Sequence, residues 1–376
     1  MKRKKNWKKN MISVISTRTP NSHNELRAKP VLSSFHRRGR AFAVSCLILG
    51  QMLLWMISGC AAKVPKETIT VLALDTYVTL TAEGNEAGKA VAEGAAYLTE
   101  LEGRLSRKKD KSEIAQLNAS TKETPVRLSE ETYALLEAVC LYAEKTEGLF
   151  DPTIAPVMDL WGFGEDPHVP SSSDIEEAVQ RVDYRRIHLL PDGCAYVEEG
   201  TRVDLGGAAK GAIGILLMAK MRESSVTKII LDLGGNVCAW AKKEELTIGI
   251  ISPADPTKLC CAYSLGKDEE QSVITSGAYE RYFEEAGIRY GHIMDTATGY
   301  PAVTDLLSAT VIGRDGTVGD ILSTALYASG SEKARILAGE LHIDCILCAD
   351  NGTLWVSSSL KGKVDAQEGW TIEYFG

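Results

Sequence analysis

The sequence lacks the marks that would place it at once. Its glycine-rich stretch TRVDLGGAAKGAIG (201–214) is no Walker loop, because Ala212 follows Gly211 where Lys and then Ser or Thr are needed. It is no dinucleotide fingerprint either, since Gly206, Gly207 and Gly211 miss the first, third and sixth places. No second cysteine pair accompanies Cys345-Ile-Leu-Cys348 to complete a zinc site. The seven cysteines after Cys60 are odd in number, which argues against a disulfide framework. Cys345 and Cys348, in the apolar run IDCILCAD, read as buried, inert thiols. No fixed-period repeat and no low-complexity linker follows residue 67. Acids are nearly absent from residues 1–59, where 12 Lys and Arg face Glu25 alone. The whole chain carries −8 and that segment +11, so residues 60–376 carry −19. A body so acidic excludes nucleic acid as a main partner, and any phosphorylated ligand must meet cations supplied locally.

What is present begins with that basic lead. It runs into AFAVSCLILGQMLLWMI (41–57) and then Ser58-Gly59-Cys60, the order of an export signal. The apolar run falls short of the ~20 residues a spanning helix needs. Small residues before a cysteine resemble a bacterial lipobox. The expectation is a signal region over 1–59, a lipid on Cys60, a tether over 60–68 and one large body over 69–376. The protein would then sit on the extracytoplasmic face of the cell membrane.

Within the body, ITVLALDTYVTLTAEG (69–84) reads as a strand or strand pair. Ala87, Ala90, Val91, Gly94, Leu98 and Leu101 make one helical stripe, and 129–146 repeats the pattern behind Ser129 as N-cap. Ser173-Asp-Ile-Glu176 reads as a capping box. Strands are expected at 186–197, 201–205, 228–233, 246–251, 262–265, 307–313, 343–348 and 353–357. Helices are expected from 208, at 319–328 and at 331–340. The order is no regular alternation, so the fold class is α+β, with largely antiparallel, mixed sheets packed against helices.

Four segments could carry chemistry. In VDLGGAAKG the glycine pair turns a strand into a helix, whose start offers N–H groups and, with Lys210, positive charge. Taken alone, a tight turn with a solvated lysine explains it as well. Asp320, Ser323 and Thr324 fall at i, i+3 and i+4 and could hold a hard cation, although N-capping by Asp320 is the plainer reading. GLFDPTIAPVMDLWGFG (148–164) could wall a flat ring or be a packed loop. His292, one of four histidines after Cys60, stands near Asp295 in a loop punctuated by glycine and proline.

Together LSRKKDKSEIAQLN, GLFDPTIAPVMDLWGFG, VDLGGAAKG, LDLGGN, ITSGAYERYF, YGHIMDTATGYPA and GDILSTAL resemble the ordered blocks of the ApbE family, the FAD:protein FMN transferases. The resemblance spans about 69–350. It implies cleavage of FAD, release of AMP and attachment of FMN to a Thr or Ser hydroxyl of an exported acceptor protein. It implies a cofactor site of Leu74, Lys108, Leu149, Phe150, Asp151, Asp204, Lys210 and Met294. It also implies Mg²⁺ held by the Gly207 carbonyl, Asp320, Ser323 and Thr324. His292 is the expected general base, with a pKa near 6.5, and Asp295 would orient it or be the base itself. Lys108 stands where the family often has an aromatic residue, and Asp295-Thr296 where Asp-Pro is usual, a change expected to loosen the loop. Hydrolysis of FAD by water, or FAD binding without turnover, are the alternatives.

Overall fold

Alternating burial and a tight turn start the fold. The computed structural model describes residues 14–15, 64–163 and 166–376; the expected lipobox, and the lead before it apart from 14–15, lie outside these. β1 (Lys66–Ala73) and β2 (Thr76–Glu83) pair antiparallel from Lys66↔Glu83 to Ala73↔Thr76. Leu74 and Asp75 close the hairpin with φ of 54° and 57°, the left-handed pair that matches the twist of the flanking strands. β1 thus starts ahead of position 69.

α1 (Ala87–Leu105) buries the expected stripe. Gly94 lets it lie against Met221, whose Sδ would be 2.9 Å from a Cβ there. α2 (Glu113–Asn118) and α3 (Glu130–Lys145) begin at serine caps, Ser112 and Ser129. α4 (Ala155–Trp161) follows, then α5 (Ser172–Val179). The capping box expected at Ser173 is displaced: extended Ser171 is the cap and accepts the Asp174 N–H at 3.3 Å. The strand expected over 186–197 is a 3₁₀ turn and a hairpin, 187–189 with 194–197, to which 126–127 adds. No strand forms at 201–205, where one bridge joins Arg202 to Ile154. Its amides bond instead to the Asn118 side chain, 2.6 Å from Val203 N, and to the Pro152 carbonyl, 2.7 Å from Asp204 N.

The rest runs α6 (Ala209–Arg222), β3 (Lys228–Asp232), β4 (Asn236–Ala241), β5 (Leu246–Ile251), β6 (Leu259–Leu265), β7 (Glu270–Ser276), β8 (Tyr282–Glu285), β9 (Ile288–Gly291), β10 (Leu306–Gly313), α7 (Gly316–Glu340), β11 (Asp344–Ala349), β12 (Thr353–Ser357), β13 (Val364–Ala366) and β14 (Thr371–Phe375). Nine strands form one sheet in the order β14-β12-β11-β10-β7-β4-β3-β2-β1, antiparallel except for β12 with β14. β4 and β7, unassigned from sequence, are central strands; β4 is buried throughout, so it shows no apolar–polar alternation. The expected α+β class holds.

The sheet has two covers. α1, α6 and α7 lie on one face. The small sheet of β5, β6 and β13 packs on the other, around Val237, Ile250, Val273 and Leu354. Period-two alternation sorts the thiols: Cys345 joins the core under α7, whereas Cys348 faces the small sheet with its Sγ 3.4 Å from that of Cys260. Burial pushes the Cys345 thiol up to about 12, as expected of inert core cysteines. α7 is interrupted at Gly330 (φ 77°, ψ 163°), so the two expected helices exist as halves of one.

Candidate active site

The site forms where α6 and α7 start side by side. Their closest approach needs glycine on both sides. A Cβ on Gly211 would lie 1.9 Å from the Gly316 carbonyl oxygen, and one on Gly316 2.8 Å from that of Gly211. This contact sets the two predicted half-sites against each other.

α7 is capped by Asp315, whose Oδ1 accepts the N–H groups of Thr317 at 2.9 Å and Val318 at 3.2 Å. Capping therefore does not explain Asp320, which lies in the next turn, 1 % exposed. A buried carboxylate is costly unless paired. Asp320 Oδ2 accepts the Gly211 N–H at 2.9 Å, and Oδ1 lies 3.6 Å from Lys210 Nζ. Lys210 also reaches the Gly206 carbonyl, at 3.5 Å. Gly207 stands next to Thr324, since a Cβ there would be 3.3 Å from Thr324 Oγ1 and 3.1 Å from the Phe150 ring. One carboxylate, one hydroxyl, one exposed turn and one ammonium thus converge.

Ser323 differs from its predicted partners. Its hydroxyl is fully buried, 2.8 Å from Ser276 Oγ and 3.0 Å from the Asp320 carbonyl oxygen. It locks α7 onto β7 and stands behind Thr324. Thr324 Oγ1 donates to the Asp320 carbonyl at 3.1 Å and lies 3.3 Å from Ser276 Oγ, which leaves it at least one lone pair to offer. Among the described residues no cluster of three or more His, Cys, Asp or Glu could hold a metal. The donors expected here are one carboxylate, a hydroxyl and a backbone carbonyl, that of Gly207, a residue that lies against Thr324. Such an all-oxygen set fits a hard cation. The α6 start offers fewer free donors than the sequence suggests, because the N–H groups of Ala208 and Ala209 both bond to the Leu205 carbonyl.

The remaining predicted residues do not form one wall. Leu149 is half-buried, and Phe150 packs its ring edge on Gly207. The Asp151 carboxylate is consumed by the loop, accepting from Thr153 N (2.8 Å), Thr153 Oγ1 (2.6 Å) and Tyr184 N (2.9 Å); burial pushes its pKa up. Asp204 braces the glycine turn through Gly206 N at 2.7 Å and takes Arg107 Nε at 2.6 Å. Lys108 is exposed; its neighbour Arg107 turns inward, bridging Asp204 and Asp159, the latter at 2.5 Å. Met294 packs with Trp161, Val157 and Ile175 in a satellite core. Phe163, Phe283, Tyr290 and Tyr300 crowd the Trp161 ring, which is fully buried. Over the described residues 148–163 the segment therefore ends in a closed aromatic cluster around Trp161 and is no open wall for a ring.

His292 is half-buried. Its Nδ1 and its backbone N each lie 3.1 Å from the Arg281 carbonyl oxygen. Asp295 is not its orienting partner: Asp295 Oδ1 accepts from Ala297 N (2.9 Å) and Thr298 N (3.3 Å), closing its own turn. Burial first, then the charges of Arg281 and Lys210, push the imidazole down to about 3, far from the expected 6.5. Nor does Thr296 loosen the loop. Its hydroxyl donates to the Gly148 carbonyl at 2.5 Å, a tie that proline could not make.

Sequence reasoning gave no role to Asp232, Glu280 or Arg281, although all lie in the quoted blocks. Burial raises Glu280 to about 7 and Asp232 to about 6. Glu280 Oε1 would be 2.7 Å from a Cβ on Gly235 (φ 99°). The signal was a carboxylate beside a glycine pair, LDLGGN, which only the fold brings to YER.

The ApbE family profile matches residues 74–347. The chain belongs to the ApbE family. Against an FAD:protein FMN transferase of Treponema pallidum it is 34 % identical over 300 residues, covering 74 % of this chain and 82 % of that protein. A Klebsiella pneumoniae protein of the same name is 33 % identical over 262 residues, with 68 % and 81 % covered. The crystal structure of the ApbE protein of Thermotoga maritima matches with a TM-score of 0.73 at 29 % identity, over 80 % of this chain and 99 % of that one. The α+β architecture is thus that of the ApbE family.

Proposed function

We propose that this ApbE-family chain is an FAD:protein FMN transferase. It cleaves the pyrophosphate of FAD, releases AMP, and joins FMN through a phosphoester to a Thr or Ser hydroxyl of an exported acceptor, in a Mg²⁺-dependent reaction. The names of its relatives support this reading. One geometric observation carries it: Lys210, Asp320, Thr324 and Gly207 converge around the paired starts of α6 and α7.

Bound Mg²⁺ would supply positive charge to the pyrophosphate oxygens. Asp320, Thr324 and the Gly207 carbonyl would hold it. Lys210 brings the second cation that an acidic body does not provide elsewhere, and charge stabilisation of this kind dominates phosphoryl transfer. His292 presents Nδ1 to the Arg281 carbonyl, which makes Nδ1 the protonated nitrogen and leaves Nε2 to accept the acceptor's hydroxyl proton. Its depressed pKa keeps the ring neutral near pH 7, the form that takes a proton, at the cost of basicity. Lipidation at Cys60 would hold the enzyme at the extracytoplasmic membrane face, with exported flavoproteins.

The test incubates the protein with FAD and Mg²⁺, with and without a peptide of the Asp-x-x-Thr-Gly-Ala-Thr kind. AMP release together with a peptide mass gain of one FMN is expected. AMP and free FMN without peptide would replace transfer by hydrolysis, and tight FAD retention without AMP would leave a binding protein. His292→Ala should bind FAD normally yet lose transfer; full transfer by that variant removes the base role. Cys60→Ala should lose membrane partition.

A further inference from the structure

The hairpin turn at Leu74–Asp75 is unusual for having no glycine. Both residues are left-handed, a conformation that leucine in particular adopts at a cost. Such backbone persists only where its surroundings over-determine it. Here the turn is gripped from two sides. Its first N–H, that of Leu74, donates to Glu102 Oε1 at 2.8 Å. Its two carbonyls are met by one side chain: Arg281 Nη2 lies 3.3 Å from Leu74 O and 3.4 Å from Asp75 O, and Nη1 lies 3.9 Å from the Asp75 carboxylate. The planar guanidinium turns Nη2 to both carbonyls while Nη1 faces the carboxylate, a division between two fixed nitrogens that a lysine ammonium does not have.

Arg281 is also the residue whose own carbonyl takes both His292 contacts, Nδ1 and backbone N at 3.1 Å. One residue thus joins a turn more than 200 positions away in sequence to the proposed base. Gly234 closes the arrangement from below: with φ of 70°, its missing Cβ would lie 2.4 Å from Thr76 Oγ1, just past the turn.

We propose that Arg281 is a positioning residue, whose side chain holds the Leu74–Asp75 turn against the site while its carbonyl fixes the tautomer and direction of the His292 ring. This rests on the transferase reading for its purpose but not for its test. Turn and ring are thereby held by one residue, so that a loss at Arg281 reaches both the Leu74–Asp75 backbone and the presentation of His292 Nε2. The charged groups around the ring are Arg281 itself and Lys210 of α6, both positive; Asp75 and Glu280 are the carboxylates that adjoin Arg281.

The experiment compares the wild type with Arg281→Ala and Arg281→Lys in the full chain. Three readouts are taken: hydrogen exchange of residues 72–77, titration of the His292 ring by NMR, and kcat and KM for FAD-dependent AMP release with acceptor peptide. For Arg281→Ala, exchange at the turn should accelerate about tenfold. The ring should titrate at higher pH, since a nearby cation is gone. kcat should fall about tenfold with a smaller change in KM. Arg281→Lys should restore the titration more fully than the exchange, because it returns the charge without the fork. Unchanged exchange in 72–77 together with an unchanged His292 titration in Arg281→Ala overturns the proposal. A wild type that releases no AMP, with both structural readouts moving as stated, sinks the transferase reading and leaves the tether standing.

Discussion

The two faces of the nine-stranded sheet are built from the same strands and do opposite things. On β7, Ile274 and Ser276 point to the helices, where Ser276 meets Ser323 at 2.8 Å and Ile274 packs on Gly319. Val273, one residue away, points into the apolar sandwich with Ile248, Cys260 and Leu354. Asp320, Ser323, Thr324 and Lys210 belong to the helical side; the other side is an apolar sandwich that also holds Tyr263, the Cys260–Cys348 thiol pair and the Thr275–Thr310 hydroxyl pair at 2.9 Å. The comparison teaches that side-chain period places the chemistry here as firmly as any motif does. A strand slip of one residue would send Ser276 to the wrong face.

The sharpest way to break this contrast is on the helical face. Asp320→Asn keeps an oxygen for the Gly211 N–H yet removes the charge, and AMP release should fall about 10²–10³-fold or more, measured by chromatography. Next comes Gly211→Ala. Its methyl would collide with the Gly316 carbonyl, prising α6 from α7. Stability should drop by about 1–3 kcal/mol in urea unfolding, and activity should fall with it. On the other face, Cys348→Ala should cost only about 1 kcal/mol and leave AMP release unchanged. A strong activity loss there would show that the two faces are coupled.

The contrast is sharpened further by pH dependence. Glu280 and Asp232 have raised folded pKa values, about 7 and about 6. The fold therefore prefers their protonated forms, and their contribution is present below the usual carboxylate range and lost as pH rises through those values. His292 runs the other way. Its folded value near 3 means that the unfolded chain binds the proton first as pH falls below 6.5, so stability declines from there toward 3. Urea midpoints should flatten over pH 4.5–7 in Glu280→Gln and over pH 3–6.5 in His292→Gln.

Much of this was legible before any coordinates. The α1 and α3 stripes and the Ser129 cap follow from helical period and turn chemistry, which are local. The Asp320–Ser323–Thr324 spacing was equally plain, but its choice between capping and ligation was not. That choice depends on Asp315 having already capped α7, four residues beyond the stretch that drew attention. β4 escaped notice because a strand buried on both faces shows no alternation. The wrong partner for His292 has the same origin. Asp295 is near in sequence, whereas the Arg281 carbonyl comes close only once β8 and β9 pair. The resemblance pointed to Lys108, yet its neighbour Arg107 is the cation that turns inward, a choice decided by Asp159 and Asp204, distant along the chain.

The interruption at Gly330 bears on how this molecule can change. Asp305 accepts from Ser331 N at 2.8 Å and Ser331 Oγ at 2.5 Å, giving the second half of α7 a start of its own. The segment bearing Asp320 and Thr324 is thus a short rod seated on Gly211 and Ser276, not the end of a long lever. A change on the exposed side of the segment after Ser331 therefore need not swing the oxygen donors out of line, whereas one at Ala334 or Leu337 enters the core shared with Leu322 and Leu326.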